Sequence, residues 1–516
     1  MTPAPSRLRD LPAVVAGIAA TVLGAGLGEL AAALVAPSAS PFAVIGGAMI
    51  DLAPAWAKDL AIDLFGTGDK AALLVGIAVL LMVVAGVAGA LENRRPPWGR
   101  VVLAGLGALG AVVSLTRADA GLLSPVPSLI AGAGAAVVGA LLVGRLRRPP
   151  RRPVADPRAD EGVTRRGVLA LSGVAVMAGA LAAFGSVALS GGARAISAVR
   201  SALRLPQPAT TTTVPDAADL GIDGLSPVIT PSADFYRIDT ALVVPQVDPA
   251  TWTLRVHGLV EQEVVLRWDD LVALPQKETV ATLVCVSNEV GGSLIGTARW
   301  LGVPIRDILA RAKPTAEADM VLSRSVDGFT ASSPLEALTD DRDALLAIGM
   351  NGEPLPIEHG FPVRMVVPGL YGYVSATKWV SELEVTRFDR AEGYWTPRGW
   401  SERGPVKLQS RIDVPRAGAR VEPGSTVIAG VAWHNHVGVA GVEVQVDDGP
   451  WQPATLATAI SADTWVQWSL PWEATSGLHT ARCRAISADG STQTSDQAPP
   501  APDGATGWDE ATISVA

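Results

Sequence analysis

The pattern of apolar and polar positions changes character near residue 190. Before it, long apolar runs rich in Ala, Gly, Val and Leu alternate with short polar breaks; after it, apolar positions recur in the shorter periods of an ordinary folded domain. A helix needs roughly 20 apolar residues to cross the hydrocarbon core of a bilayer. Residues 11–35, 71–91, 101–116, 127–144 and 167–189 meet that test, the third and fourth by borrowing flanking residues. Residues 42–66 are also apolar, but Asp51, Lys58, Asp59 and Asp63 suit a helix lying in the interface better than a sixth span.

Beyond residue 190 the same reading gives two further regions. Residues 191–232 read as a linker that includes the low-complexity run PQPATTTTVPDAADLGIDGLSP. Residues 233–403 mix strand-like runs (TWTLRVHGLV, VRMVVPG, KWVSELEVTRF) with helical ones such as PIRDILARA, the pattern of an α+β domain. Residues 404–516 read as all-β. In VEVQVDDGPWQPATL, Val442, Val444 and Val446 alternate with polar neighbours before a turn at Asp448-Gly449. STVIAGVAW, WVQWSLPW and HTARCRAIS continue at the spacing of a sandwich. The expected fold class is therefore multi-domain: an N-terminal all-α transmembrane bundle (1–190), an α+β domain and an all-β sandwich.

Charge orients the apolar part. Arg7 and Arg9 precede the first span, Arg94, Arg95 and Arg100 lie between the second and third, and arginines crowd the loop from Arg145 to Arg166. The intervening loops carry few basic residues, so five spans start inside and leave residues 191–516 outside the cytoplasmic membrane. That loop ends in TRRGVLALSG, where Arg165 and Arg166 either obey the same rule or resemble a twin-arginine export signal embedded before the last span. The net charge of −9, without a lysine-rich patch, excludes nucleic acid as a partner. None of the five histidines falls in a span, which argues against a transmembrane b-type haem, and no span carries a central Lys or Arg, which weakens a transporter reading.

The chain has two cysteines. They cannot form a disulfide framework, a zinc finger or a four-thiolate iron–sulfur site, and no CxxCH run exists for covalent haem. On its strand Cys483 shares a face with Ala481 and Ala485, which fits a small core residue; a bridge to Cys285 is the alternative. Cys285 closes the β-like run of TLVCVSNEVGG just before a polar, glycine-rich turn. By position alone it is open to three readings: a nucleophile paired with His257 or His359, a metal ligand, or inert filling.

The segment TLVCVSNEVGGSLIGTARWLGVPIRDIL resembles the molybdenum-binding segment of the sulfite oxidase family of molybdopterin enzymes. There one cysteine thiolate ligates molybdenum, and a Gly-x-Ala-Arg-Trp-x-Gly element follows, matched here by Gly296, Ala298, Arg299, Trp300 and Gly302. IEHGFPVRMVVPGLYGYVSATKWVSELEV resembles the second family segment, which puts His359, Arg364 and Lys378 at pterin-binding positions. DFYRIDTALVVPQVD resembles the upstream cofactor-contacting stretch through Tyr236 and Arg237. The resemblance covers residues 230–516 and implies an Ig-like, dimerisation-type tail, hence a possible homodimer. It implies a molybdenum–molybdopterin cofactor with Cys285 as the one protein thiolate, which suits a soft, high-valent metal. Tyr236, Arg237, Ser325, His359, Arg364, Thr377 and Lys378 would hold the pterin and its phosphate. Arg299, Tyr371 and Tyr373 would line the reacting site; Trp300 and Trp379 read as core, and Asn288 and Glu289 as shaping the turn.

The match fails where sulfite is bound. The family run Cys-x-Gly-Asn-Arg-Arg is here Cys285-Val286-Ser287-Asn288-Glu289-Val290, so both arginines are lost. The family's active-site tyrosine falls on Trp400, and its Asn-His after the upstream arginine reads Ile238-Asp239. The expectation is a membrane-anchored molybdenum oxidoreductase carrying out two-electron oxygen-atom transfer on a small substrate other than sulfite, exchanging electrons with an external carrier or quinone. The alternatives are a sulfite dehydrogenase with an anion site rebuilt from Arg398 or Arg403, and a non-catalytic surface protein on a degenerate scaffold.

Overall fold

A computed structural model describes residues 10–53, 69–117, 120–147, 165–189 and 191–516. The chain divides into two units, Met1–Ala198 with Ala241–Gln246, and Val199–Thr240 with Val247–Ala516.

The first unit is helical. Leu11–Val35, Asp69–Arg94, Trp98–Leu115, Pro125–Arg147 and Arg165–Leu189 are each long and apolar enough to cross a membrane. The fourth is longer than its apolar run predicts, because it recruits Pro125 at one end and Arg145 and Arg147 at the other. Helices in lipid gain little from burying apolar surface, so they associate through close packing of small residues. The first helix packs on the second, fourth and fifth in that way. A Cβ on Gly17 would fall 2.2 Å from the Ala85 carbonyl oxygen, and one on Gly89 would fall 2.1 Å from that of Ala13. Large apolar side chains such as Val87, Leu181 and Phe184 face outward. Charges gather at the helix ends: Asp10 pairs with Arg94, and Arg100 Nε donates to Glu92 at 2.9 Å. Of the stretch expected to lie in the interface, Pro41–Leu52 is a helix N-capped by Ser40, whose hydroxyl accepts from the Ala43 N–H at 3.3 Å. Residues 54–68, the first nine residues and most of the arginine-rich loop lie outside the described residues.

The second unit is built from four sheets. One runs in the spatial order Thr210–Thr211, Lys277–Val284, Ile295–Pro304, Leu345–Met350 and Arg364–Val366, with Glu353–Pro354 beside the fourth. The next runs Val264–Arg267, Thr253–Gly258, Val380–Thr386, Met320–Ser325 and Thr330–Pro334. Leu254, Val256, Ile308, Leu346 and Leu383 pack fully buried between them. The helix Ile305–Ala312 closes this core with Ile305, Ile308, Leu309 and Ala312 on one face, the spacing that made its sequence read as helical.

The other two sheets face one another. Gln409–Val414, Gly424–Trp433, Val466–Ala474 and Thr455–Leu456 form one; Arg420–Val421, Asp509–Val515, Gly477–Ser487, Val439–Val446 and Gln452–Pro453 form the other. Their shared core holds Ile428, Trp468, Val444, Ile513 and Cys483. Both cysteines are free, so the bridge between them is not made. Arg482 and Arg484 point away from this core to Glu510 and Glu443, as the alternation requires.

The segment read as a linker is ordered. Thr210–Thr211 pairs in parallel with Lys277–Glu278, the Leu220 N–H donates to Gln467 at 2.7 Å, and Trp465 Nε1 donates to the Val228 carbonyl at 3.1 Å. Backbone groups that a free linker leaves to water are here satisfied by the two domains the segment crosses.

Candidate active site

Cys285 lies one residue past the strand Lys277–Val284, where the chain leaves the sheet. Its N–H donates to the Leu294 carbonyl at 2.9 Å and its carbonyl accepts from Asn288 at 3.0 Å, which closes a tight loop. The Asn288 side chain accepts from the Leu294 N–H at 2.7 Å, and Gly291 takes φ +73°, a conformation open to glycine. Asn288 therefore shapes the turn, as expected. The strand is clamped from the sandwich side: Asn435 Nδ2 donates to the Thr282 carbonyl at 2.8 Å, the Trp465 N–H donates to the Thr282 hydroxyl at 2.8 Å, and Arg411 Nη1 donates to the Gly292 carbonyl at 2.7 Å.

Cys285 is 8% exposed and lines a cavity of about 130 Å³. Burial pushes the Cys285 thiol up, offset in part by hydrogen bonds from the Ser287 N–H and hydroxyl and by the Lys378 charge. Among the described residues no group of three or more His, Cys, Asp or Glu side chains could cage a metal by itself. A metal at Cys285 would thus draw most of its ligands from a cofactor.

One wall of the cavity is cationic. Arg364 is 4% exposed and has only the carbonyls of His359 and Met365 as acceptors, at 3.2 and 3.3 Å. Lys378 Nζ donates to Asp239 at 3.1 Å and to the Glu358 carbonyl at 3.0 Å. Burial pulls the Arg364 guanidinium down to about 10 and the Lys378 ammonium to about 8, so both stay charged at neutral pH. Arg237 Nε also donates to Asp239, at 3.0 Å. Lys378 and Arg237 thus share one carboxylate, while Arg364 has carbonyl acceptors, and Arg364 and Lys378 both line the cavity. Buried charge without a matched partner costs several kcal/mol, and an anion in the cavity removes that cost. Two buried polar atoms add to this, because neither Ser325 Oγ nor His359 Nδ1 has a hydrogen-bond partner among the described residues. Burial, with Arg364, Lys378 and Arg237 nearby, lowers His359 to about 3, which keeps it neutral. These residues fit a phosphate-bearing pterin.

Another part of the lining is aromatic. Tyr373, Trp395 and Trp400 line it, with ring centroids 5.8 Å apart for Tyr373–Trp400 and 6.2 Å for Trp395–Trp400. Ile238 and Phe329 extend the apolar surface.

The expected site residues divide accordingly. Cys285, Tyr236, Ser325, Arg364, Lys378 and Tyr373 line one cavity; His359 and Arg237 stand just behind the cationic wall. Three do not belong to it. Arg299 projects from the other face of its strand, with Nη1 donating to Glu278 and to the Thr212 carbonyl, both at 3.3 Å; strand alternation gives that face away, since Trp300 packs under Arg364. Thr377 is fully buried, with its hydroxyl 2.7 Å from that of Ser323. Tyr371 is buried with its hydroxyl accepting from the Lys407 N–H at 3.4 Å, and burial pushes it up to about 12. Trp300 is core, as expected, but Trp379 reaches the cavity. Trp395 was missed: it reaches the wall through the turn Thr396–Arg398, which brings it back against Trp400, and only the spacing WTPRGW hints at that. The acid that replaces a family arginine, Glu289, is exposed and lines a separate surface groove with Gln497 and Trp508. Arg398 stacks on Tyr394 and Arg403 pairs with Glu336, so neither supplies an anion site here.

A cysteine at a strand end, lining a cavity together with buried cations, is an arrangement that can receive an anionic, metal-bearing cofactor. Residues 241–395 match the family described as "Oxidoreductase molybdopterin binding domain". The chain is 35% identical over 271 residues to mouse (Mus musculus) mitochondrial sulfite oxidase, covering 44% of this chain and 49% of that one. It is 30% identical over 323 residues to the sulfite oxidase of Gallus gallus, covering 52% and 69%. It is 36% identical over 157 residues to the uncharacterized oxidoreductase YuiH of Bacillus subtilis, covering 30% and 76%. The chain belongs to the sulfite oxidase family of molybdopterin oxidoreductases. It spans about half the length of the mammalian relatives it matches.

Proposed function

We propose that this chain is a membrane-anchored molybdenum–molybdopterin oxidoreductase that carries out two-electron oxygen-atom transfer on a small substrate other than sulfite, outside the cytoplasmic membrane. The observation that carries the reading is the Cys285 thiol on a cavity also lined by buried Arg364 and Lys378, with Asp239 bonded to the lysine alone of these two. In this reading Cys285 Sγ ligates the metal, and donors from Ser287 favour its thiolate. Arg364, Lys378 and Ser325 hold the phosphate, Tyr236 borders the pterin, and His359 offers a neutral ring nitrogen behind them. When bound, the cofactor supplies the two-electron change coupled to movement of one oxygen atom. Five spans with the N-terminus inside anchor the enzyme, and electrons pass to or from a quinone or an external carrier. Arg165 and Arg166 act as a twin-arginine signal before the last span. Residues 233–403 form the cofactor domain and residues 404–516 an Ig-like domain whose first task is to brace the Cys285 strand; it can also serve a homodimer.

The test is metal analysis of the protein purified from membranes of a host that makes the cofactor, with Cys285→Ser in parallel. The expected result is about one molybdenum per wild-type chain and loss of redox activity in the variant. Well-folded wild type without molybdenum would defeat the reading and favour a binding protein on a degenerate scaffold.

A further inference from the structure

The helical unit holds a cavity of its own, of about 90 Å³, lined by Thr21, Phe42, Ile45, Leu81, Leu106 and Ser128 among others. No charged side chain lines it among the described residues. The long helices that frame it can cross a membrane, so an occupant drawn from the lipid phase would be uncharged. One lining atom does not suit a purely apolar filling. Ser128 is 2% exposed, and its hydroxyl has no hydrogen-bond partner among the described residues. Elsewhere in the long helices a hydroxyl donates to a carbonyl about one turn back: Thr21 to Gly17 at 3.0 Å, Ser114 to Ala111 at 2.8 Å, Ser172 to Val168 at 2.9 Å. Ser128 forgoes that bond, and Gly110 keeps the space beside it clear, since a Cβ there would fall 2.8 Å from Ser128 Oγ. A buried hydroxyl left unpaired is destabilising, and a ligand oxygen removes that cost. An apolar cavity with a single free donor suits a flat, neutral molecule that carries a carbonyl.

Ser128 lies one turn into the helix Pro125–Arg147, and Phe42 and Ile45 belong to the short helix Pro41–Leu52. In the proposed topology both mark the outer end of the bundle. The segment Ala241–Gln246 belongs with these helices, and a Cβ on Gly46 would fall 2.7 Å from Leu242 Cδ1. Immediately before that segment in the chain, Asp239 and Thr240 line the Cys285 cavity. None of the five histidines falls in the long helices, so these lack the paired ligands of a transmembrane haem and can serve electron exchange by binding a diffusible carrier. We propose that the cavity at Ser128 is the ring site for an isoprenoid quinone, with Ser128 Oγ donating to a ring carbonyl. The proposal rests on the functional reading above, in which a quinone is one of two kinds of electron partner, and gives that partner its place.

The experiment is calorimetric binding of menadione and of 2-methylnaphthalene, which has the same ring frame without carbonyls, to the purified full chain in detergent. Micelles alone serve as the blank, and molybdenum is measured on the same samples. Menadione should saturate at about one per chain and bind about fivefold more tightly than 2-methylnaphthalene. Ser128→Ala should weaken menadione about fivefold and leave 2-methylnaphthalene unchanged, while Leu106→Trp, which fills the cavity, should abolish saturable binding of both. Equal affinity of the wild type for the two probes, or menadione binding that neither substitution alters, would overturn the site and leave a packing gap filled by lipid. Wild type that carries molybdenum but binds no menadione would sink the quinone site and leave the functional reading standing. Wild type without molybdenum that still binds menadione through Ser128 would do the reverse.

Discussion

Part of the lining of the Cys285 cavity is the buried pair of cations Arg364 and Lys378; another part is the aromatic group Tyr373, Trp395 and Trp400. The two walls also differ in what holds them. Arg364 stands on the strand Arg364–Val366, paired with Leu345–Met350, and Lys378 directly precedes the strand Val380–Thr386. Trp395 and Trp400 sit on the irregular segment after that strand, on either side of the turn Thr396–Arg398. In the proposed reading, the groups that fix a cofactor stand on or next to sheet and those that meet a substrate stand on a loop, which can change without disturbing the sheet. On that reading, one chain can keep the groups that hold a cofactor while the groups that meet a substrate vary.

The sharpest way to break the comparison is Arg364→Met. If the cationic wall serves an anionic cofactor, molybdenum content should fall at least about tenfold, since a buried charge pair lost from a binding site costs about 2–5 kcal/mol. Cofactor-free protein should respond in the opposite direction. There the guanidinium is buried without a carboxylate of its own, so removing it should raise stability by about 1–3 kcal/mol, read from denaturation of cofactor-free wild type and variant. Loss of stability in the cofactor-free form would mean that the wall is structural. The aromatic residues make the contrasting prediction: Trp400→Ala should keep its molybdenum content, measured on the same preparation.

A middle-sized effect separates both walls from the sandwich. Asn435 is buried and donates to the Thr282 carbonyl, three residues before Cys285. Asn435→Ala leaves that carbonyl without this donor and should cost about 1–2 kcal/mol of stability. Substrate preference should not change, because Asn435 touches neither wall. A change in substrate preference in this variant would show that the sandwich shapes the substrate side as well.

These placements also show what the sequence made legible. Cys285, Tyr236, Ser325, Arg364 and Lys378 could be found because their segments keep the family's order and spacing, and the structure gathers them at one cavity. Arg299 followed from the same motif but points the other way, since a motif fixes position along a strand while the pleat fixes the face. Thr377 was chosen for its hydroxyl, yet that hydroxyl is satisfied by Ser323, a partner 54 residues away that no local pattern announces. Trp395 escaped for a related reason. Its place in the wall depends on a turn closed by Gly399 at φ +95°, and aromatic spacing alone does not reveal which rings a turn will bring together. In the helical unit the apolar runs located all five long helices, but not how deeply glycine lets them approach.

The smallest effect tests the cationic wall through its neighbour. His359 is 3% exposed, with Nδ1 unpartnered, and burial together with the charges of Arg364, Lys378 and Arg237 holds it near 3. In the unfolded chain a histidine titrates near 6.5. Between those values the unfolded state takes up a proton that the folded state refuses, so stability is full above about pH 6.5 and declines as the pH falls toward 3. Down to pH 5 the loss from this one group approaches about 1–2 kcal/mol. His359→Gln removes the titration, so cofactor-free variant and wild type should diverge in thermal midpoint below pH 6.5, with the variant falling less steeply. A loaded protein should diverge less, because a phosphate beside Arg364 and Lys378 offsets the positive field and lets the ring accept a proton at higher pH. Equal acid sensitivity in cofactor-free wild type and variant would mean that the ring is not held neutral by that field, and that the cationic wall is less crowded than its distances imply.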